Sequence, residues 1–328
     1  MVTRRRVVVA LGISAIAEPL VLFAQQQLTK VYRIGFLGSG SASGYANEAD
    51  ALRAGLRDLG YEDGRNVVIE FRWVDGKYDR LPDLAAELVR LKVDVIVTQG
   101  TPSALAAKRA TTTIPIVMAV VADAISSGLV PSLARPGGNI TGSSFLVLEL
   151  SSKRIELLKE TMPRIKRVAV LLNSDNPVLV PIFQAMETVA SALKIGLQQF
   201  KVRDPNEIEG AFAAMTKSRA DAVVILNDGM FITNTKRIAD LAAKQRLPSI
   251  GFDAFAEAGG LMSYGANLPE LFRRAAYFLD RIFKGAKPAD LPVEQPTKFE
   301  LAINMKTAKA LGLKIPNSIM VQATKIIE

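Results

Sequence analysis

Polar and acidic side chains recur at the points where the predicted strands of this chain end. They are serine, threonine, asparagine and aspartate, with glycines beside them, so they can hold charge and form hydrogen bonds. The candidate binding residues of this kind are Ser39, Gly40, Ser41, Gly100, Thr101, Ser103, Asp123, Asn173, Ser174, Asn176, Asn227, Asp228 and Asp253. Ligands of open α/β sheets bind outside the carboxyl ends of the strands. The pattern therefore predicts a cleft that binds a small polar ligand.

Each of these residues also has a purely structural alternative, because Ser, Thr, Asn and Asp cap helices and form turns. Asp123, Asp228 and Asp253 directly follow apolar strands, where a carboxylate needs a cation or hydrogen-bond donors. A ligand ammonium group and the backbone N–H groups of the next turn would both serve. The sequence leaves both roles open for each aspartate.

A helix N-terminus follows the strand at residues 93–98, and it suits a carboxylate ligand. Unpaired N–H groups and the positive end of the helix dipole favour anions there. Thr101 is predicted as the N-cap and Pro102 as the first helical residue. The aromatic candidates Tyr45, Phe252 and Tyr264 would pack on an apolar part of the ligand, or else belong to the core or its rim.

The composition excludes several classes of chemistry. The chain has no cysteine and no histidine, which removes thiol nucleophiles, Ser-His-Asp triads and nearly all zinc, haem and copper sites. Gly38, Gly40 and Gly44 miss the dinucleotide-binding spacing, and no P-loop lysine follows them. We therefore predict no catalytic residues, no metal and no cofactor. A dinucleotide-dependent enzyme remains as an alternative.

Charge and the N-terminal segment bear on partners and location. The net charge of +9 is scattered, so we predict no nucleic-acid partner. Residues 1–24 carry three arginines, then an apolar run at 7–17 and a small residue before the glutamines, the order of an export signal with a twin-arginine-like start. That run is too short to span a bilayer. With no cysteine for a lipoprotein anchor, we expect a free periplasmic protein without a stable membrane anchor.

The predicted elements indicate an α/β fold with two lobes. Short apolar strands alternate with helices along the chain, which is typical of parallel sheets. A stretch rich in Ser, Pro and Gly separates the β-type runs at 114–121 and 140–145, and we interpret it as the seam between two lobes, with Asp123 at the cleft. The length of 328 residues agrees with about two domains of roughly 150 residues. The chain is predicted to end in a strand at 299–303 and one final helix.

Four segments carry a family resemblance: RIGFL at 33–37, TQGTPSALAAK at 98–108, SLARPGGNITG at 132–142 and EAGGLMSYG at 257–265. Together with the N-terminal segment they resemble the substrate-binding proteins of ABC importers, closest to the tryptophan/tyrosine transport (TrpX-like) group. The resemblance implies the type I periplasmic-binding architecture, with two Rossmann-like lobes and a hinge of three crossings near residues 144, 266 and 291. It thus implies a first lobe of residues 30–144 plus 266–290 and a second of 145–265 plus 291–328, with helix 268–284 packed on the first.

The resemblance also implies a function. The protein would capture a small carboxylate ligand, an aromatic or apolar amino acid, by hinge closure, and the membrane subunits of the importer would be its partners. Carried over by position, the ligand contacts are Ser39, Gly40, Tyr45, Thr101, Asp123, Asn173, Ser174, Asp228 and Asp253. A ligand-sensing regulator or receptor domain of the same fold is the other alternative. Residues 1–30 show no helix-turn-helix, and no spanning helix follows the body, which speaks against it.

Overall fold

The computed structural model describes residues 30–328, so the predicted export signal lies outside the described residues. A first sheet is entirely parallel, in the order β2-β1-β3-β4-β5. Its strands are β1 Tyr32–Gly38, β2 Val67–Trp73, β3 Val95–Gln99, β4 Ile116–Ala122 and β5 Ile140–Phe145. The helices within this part of the chain are α1 Ala46–Asp58, α2 Leu81–Arg90 and α3 Thr101–Ala110.

A second sheet is built from the rest of the chain, in the order β12-β11-β10-β9-β8-β6-β7. Its strands are β6 Arg167–Asn173, β7 Gly196–Val202, β8 Ala222–Ile225, β9 Ser249–Gly251, β10 Met262–Gly265, β11 Glu300–Asn304 and β12 Lys325–Ile327. The helices are α4 Val147–Thr161, α5 Leu179–Ala192, α6 Ile208–Lys217, α7 Gly229–Thr233, α8 Thr235–Lys244, α9 Leu268–Phe283, α10 Met305–Leu311 and α11 Asn317–Gln322. The β10–β11 pair is antiparallel and the other pairs are parallel.

Each sheet is covered on both faces by helices, and each face has its own apolar cluster. Alternate strand residues explain this, because a parallel sheet buried on both sides needs apolar side chains in both directions. In β1, for example, Phe36 packs in one cluster and Leu37 in the cluster on the opposite face. Helix α9 comes late in the chain but packs on α1, β4 and β5 of the first sheet. The predicted fold class, two α/β lobes with parallel sheets, is confirmed. The predicted seam is wrong, because residues 123–139 connect β4 to β5 within the first sheet and do not separate two lobes.

The end of the chain differs from the prediction of one final helix. After β11 the structure has two short helices, α10 and α11, and the strand β12, which pairs in parallel with β11. Gly312 ends α10 in the left-handed conformation with φ of 70°, and Pro316 precedes α11. Both residues interrupt helices, so a single continuous helix could not form here. None of the helices in residues 30–328 is long and apolar enough to cross a bilayer.

Gly142 in β5 allows two strand backbones to approach closely. Its φ is 126°, and a Cβ built on it would lie 2.2 Å from the carbonyl oxygen of Met118 in β4. Any side chain at this position would therefore meet both backbone strain and a direct clash. This glycine lies in the segment 132–142, which explains why that segment needs glycine at its end.

We expect Gly142→Ala to destabilise the protein by about 2–4 kcal/mol, because the neighbouring backbone must shift to accept the methyl group. Gly138→Ala is the matched control, since a Cβ at Gly138 meets no atom within 4 Å. The midpoint of urea unfolding measures both changes. Equal midpoints for the two variants would contradict the proposed clash.

Candidate functional site

A cavity lies between the carboxyl ends of the strands of the two sheets and has a volume of about 40 Å³. That is well below the roughly 300–1,000 Å³ of typical small-molecule sites, so a ligand of that size requires the lobes to move apart from this closed arrangement. Its lining residues are Ser39, Tyr45, Gln99, Gly100, Thr101, Pro102, Val120, Val121, Ala122, Phe145, Asn176, Asn227, Asp228, Gly229, Ile232 and Leu268. Polar groups at the strand ends thus face an apolar surface across the same space.

The wall from the first sheet is organised by the side chain of Gln99, the last residue of β3. Its Oε1 accepts hydrogen bonds from the backbone N–H groups of Ser39 at 3.0 Å and Gly40 at 3.3 Å. The Ser39 hydroxyl donates to the Gln99 carbonyl oxygen at 2.8 Å. The loop after β1 is therefore tied to the end of β3, although 60 residues separate Ser39 from Gln99.

The N-terminus of α3 opens onto the cavity, and its cap differs from the prediction. Gly100 occupies the N-cap position with φ of 85°, and no side chain caps the helix. Thr101, predicted as the N-cap, instead accepts from the backbone N–H of Ala122 at 3.0 Å and donates to the carbonyl of Ala122 at 3.3 Å. The hydroxyl is thus used to join α3 to β4. Because no side chain satisfies the first N–H groups of the helix, they suit an anionic ligand group.

The opposite wall is centred on Asp228, which is 4% exposed. Its carboxylate accepts from the side-chain amides of Asn173 at 3.1 Å and Asn176 at 3.0 Å, and from the backbone N–H of Met230 at 3.0 Å. The Tyr78 hydroxyl, which comes from the first lobe, donates to the same carboxylate at 2.9 Å. Burial raises the pKa of Asp228, and these donors offset part of that rise.

Arg154 supports the same wall from behind. It is fully buried and donates to the carbonyl oxygens of Tyr264 and Ile225 and, at 2.7 Å, to the side chain of Asn227. Burial lowers the pKa of Arg154 to about 9, while the nearby Asp253 favours the charged form. The arginine therefore fixes the orientation of a cavity-lining amide.

Three carboxylates lie close enough to Tyr45 to affect the pKa of its hydroxyl. Burial raises the pKa of Asp253 to about 7, although its side chain accepts a hydrogen bond from the N–H of Leu268 at 3.1 Å. Burial also raises the pKa of Glu48. The pKa of the Tyr45 hydroxyl is raised first by burial and then by Glu48, Asp228 and Asp253. These carboxylates would favour a ligand cation placed next to Asp228 and Asp253.

The two lobes touch directly beside the cavity. The backbone N–H of Ser41 donates to the Thr233 hydroxyl at 3.0 Å. A Cβ on Gly229 would lie 2.9 Å from the backbone nitrogen of Gly40, and a Cβ on Gly44 would lie 2.8 Å from the Cα of Thr233. Glycine on both sides therefore lets the backbones meet, and the structure is a closed one. We call this contact of residues 39–44 with residues 228–233 the closure seam.

Comparison with known proteins gives the family. A sequence model described as "ABC transporter substrate binding protein" matches residues 41–327, almost the whole chain. The chain belongs to that family.

Relatives within and around this family agree in sequence and fold. A curated tyrosine-binding protein of Clostridioides difficile strain R20291 is 28% identical over 261 residues, which cover 79% of this chain and 74% of the relative. The crystal structure of an ABC domain in complex with L-Trp from Streptococcus pneumoniae is 28% identical, with a TM-score of 0.82 over 90% of this chain and 100% of that one. A conserved domain protein of Vibrio cholerae is 26% identical, with a TM-score of 0.85 over 90% of this chain and 100% of that one. These structures have the type I periplasmic-binding fold.

The structure brings together many of the candidate residues of this family member, but not all. The candidates that line the cavity are Ser39, Tyr45, Gly100, Thr101, Asn176, Asn227 and Asp228. Gly40, Ser41 and Asn173 lie directly beside it, in the closure seam or bonded to Asp228. Asp253 does not line the cavity but accepts from Leu268, which does.

Five candidates lie elsewhere. Asp123 accepts from the N–H groups of Ile125 and Ser126 at the next turn, so the structure shows the structural alternative, and it lines a neighbouring groove. The others are placed as follows: Ser103 is buried in α3 and its hydroxyl has no partner in the described residues, Ser174 donates its N–H to Val202, Phe252 packs on Phe255, and Tyr264 packs on Phe299.

Sequence reasoning missed several residues that shape the site. Gln99 lies in the segment 98–108, directly before the predicted binding residue Gly100. A glutamine at the end of a buried strand does not by itself indicate a role in binding. Tyr78 and Thr233 reach the site only because the lobes close. Arg154 lies on a helix whose charged residues are expected at the surface, so its burial has no sequence signal. No group of three or more carboxylates within the described residues could hold a metal ion.

We expect Asp253→Asn to change the pH dependence of stability. The pKa of Asp253 is about 7 in the fold and about 4 in the unfolded chain, so its stabilising contribution is complete below about pH 4 and is lost as the pH rises to about 7. Asn cannot ionise, yet its oxygen can still accept from Leu268. The variant should therefore exceed the wild type in unfolding free energy by about 1–3 kcal/mol at pH 8 and match it near pH 4.

Urea unfolding at the two pH values measures this difference. Asp240→Asn is the control, because Asp240 is exposed on α8 and should leave the pH trend unchanged. Parallel pH profiles for the wild type and Asp253→Asn would contradict the assignment.

Proposed function

We propose that this protein captures an amino acid with an aromatic or apolar side chain in the cavity between its lobes and presents it to the membrane subunits of an ABC importer. The observation that carries the proposal is the composition of the cavity: an uncapped helix N-terminus, the buried carboxylate of Asp228 and an apolar surface share one space. These three features match the carboxylate, ammonium and side chain of an amino acid. The relatives that bind tyrosine and tryptophan support the same ligand class.

In the proposed arrangement each ligand group has a named counterpart. The carboxylate faces the N-terminus of α3 at Thr101, where the backbone N–H and the helix dipole favour an anion, whereas the Gly100 N–H is used by the carbonyl of Val120. The ammonium group faces Asp228, whose Oδ2 accepts from Asn176 alone and keeps capacity for a second donor. The side chain packs on the apolar lining supplied by Val120, Val121, Phe145, Ile232 and Leu268.

We further propose that the lobes close by a hinge with crossings near residues 144, 266 and 291. Strand β5 belongs to the first sheet and ends at Phe145, while α4, which begins at Val147, contacts strands of the second sheet. The first lobe would comprise residues 30–144 plus 266–290, and the second residues 145–265 plus 291–328. At the last crossing, the Thr141 hydroxyl donates to the carbonyl of Leu291 at 2.7 Å, and Ser143 pairs with Glu294.

Export completes the proposal. Substrate-binding proteins of ABC transporters are extracytoplasmic in general, and the order of charged, apolar and small residues in 1–24 supports removal of a signal during export. With no cysteine in the chain, no lipoprotein anchor can be attached at that site. The mature protein would act free in the periplasm and meet the importer from that side.

Thermal denaturation with added amino acids tests the ligand class. We expect L-tryptophan, L-tyrosine, L-phenylalanine or L-leucine to raise the melting temperature of ligand-free protein, because a ligand that binds only the folded state stabilises it by mass action. Tryptamine, which lacks the carboxylate, and indole-3-propionate, which lacks the ammonium group, should raise it less than L-tryptophan. Absence of stabilisation by every amino acid would contradict the proposed function.

We expect Gly44→Ala to weaken ligand binding at least about 10-fold while the protein stays folded, because a methyl group there would meet the backbone of Thr233 only when the lobes close. Gly44 does not line the cavity, so the methyl group cannot touch the ligand. Gly210→Ala in α6 is the control, since a Cβ there meets no atom within 4 Å. Isothermal titration calorimetry measures both affinities. Wild-type affinity for Gly44→Ala would show that the closure seam is not needed for binding.

A further inference from the structure

The orientation of the Gln99 side-chain amide is determined by its neighbours. The backbone N–H groups of Ser39 and Gly40 both point at one atom of this amide, at 3.0 and 3.3 Å. Backbone N–H groups only donate, so that atom must be the oxygen Oε1 and the other must be the nitrogen Nε2. Nε2 lies 2.9 Å from the Tyr45 hydroxyl oxygen and donates to it.

The position of the Tyr45 hydroxyl is equally constrained. The side chain is fully buried, and its ring stacks on Trp73 with centroids 5.8 Å apart and on Phe272 with centroids 6.2 Å apart. The hydroxyl oxygen is occupied as an acceptor by Gln99, so its own hydrogen must point elsewhere. No acceptor for that hydrogen is found among residues 30–328, and Tyr45 lines the cavity.

A buried donor without an acceptor destabilises the structure unless another group supplies one. Because burial and nearby carboxylates raise the pKa of Tyr45, the hydroxyl keeps its hydrogen throughout the physiological range. Water or a ligand oxygen must accept it. The wall that holds Tyr45 also holds the N-terminus of α3, whose N-cap Gly100 follows Gln99 directly in the chain.

We propose that Gln99 makes Tyr45 a dedicated hydrogen-bond donor to a carboxylate oxygen of the bound ligand. This inference rests on the proposed function and adds a residue that selects the ligand. Tyr45 recognises the ligand through its hydroxyl, and Gln99 is a positioning residue that acts through Tyr45. Ligands that lack an acceptor at that place leave the hydroxyl unpaired and bind more weakly.

The first test is Tyr45→Phe, which keeps the ring and its stacking but removes the hydroxyl. We expect the affinity for the best amino-acid ligand to fall about 10- to 100-fold, the effect of losing a hydrogen bond to a charged group. The variant also removes the acceptor of Gln99 Nε2, so its ligand-free form should melt at a somewhat lower temperature than the wild type, and affinities are compared on folded protein. Tyr264→Phe is the control, because Tyr264 does not line the cavity, and its affinity should stay within about 2-fold of the wild type.

The second test separates positioning from contact. Gln99→Glu is isosteric: one oxygen still accepts from Ser39 and Gly40, but the other replaces the amide donor and becomes an acceptor. The Tyr45 hydrogen then turns to this carboxylate and away from the ligand. We expect a loss of about 10-fold or more in the wild-type background and a clearly smaller loss in the Tyr45→Phe background, where only repulsion between the new carboxylate and the ligand carboxylate remains.

Isothermal titration calorimetry on the four proteins of this cycle gives the result. Losses that simply add would overturn the role of Gln99, and wild-type affinity for Tyr45→Phe would overturn the whole inference. If Gln99→Glu does not fold, Tyr45→Phe against Tyr264→Phe decides the role of the hydroxyl. Failure of the wild type to bind any amino acid would instead refute the proposed function, and this inference with it.

Discussion

The burial of the Asp228 carboxylate is the constraint on which the site depends. A carboxylate removed from water must find several donors, and this one finds four: two side-chain amides, one helix N-terminal N–H and one tyrosine hydroxyl. Three of the donors belong to the second lobe, so that part of the network can persist when the lobes separate. The fourth, Tyr78, comes from the first lobe. Opening of the cleft therefore exposes Asp228 to water and replaces Tyr78 with solvent.

The glycines of the loop after β1 allow the same closure of the lobes. Their spacing does not fit a dinucleotide site, and the structure shows what they do instead. Gly40 and Gly44 lie against Gly229 and Thr233, and a Cβ on Gly44 or on Gly229 would touch the backbone of the other lobe. A loop of larger residues would hold the lobes apart and leave Asp228 half-solvated. The small residues of the closure seam therefore let the lobes meet, and this contact keeps Asp228 buried.

The sequence predicted the fold and the strand-end positions because both follow from periodicity. Ser39, Thr101, Asn176 and Asp228 lie at the cavity since parallel strands of each sheet end at one edge. Asp123 also follows a strand, but it does not line the cavity. Its carboxylate accepts hydrogen bonds from the backbone N–H groups of the next turn.

The rest of the site depends on contacts between residues distant in the chain. Tyr78 reaches Asp228 across 150 positions and only in the closed arrangement. Arg154 is buried because two backbone carbonyls and the Asn227 side chain accept its hydrogen bonds. The local sequence does not predict these contacts. The orientation of the Gln99 amide follows only when the N–H donors at its oxygen and the Tyr45 acceptor at its nitrogen are both known.

The central claim is that two lobes close on a ligand across Asp228, and a distance measurement tests it directly. The chain has no cysteine, so a pair of spin labels can be attached at Asp50→Cys on α1 and Lys236→Cys on α8, two exposed positions on different lobes. Pulsed electron paramagnetic resonance then gives the distribution of distances between the labels. The account predicts a shift of that distribution to shorter distances when a bound amino acid saturates the protein. An unchanged distribution in the presence of demonstrably bound ligand would contradict it.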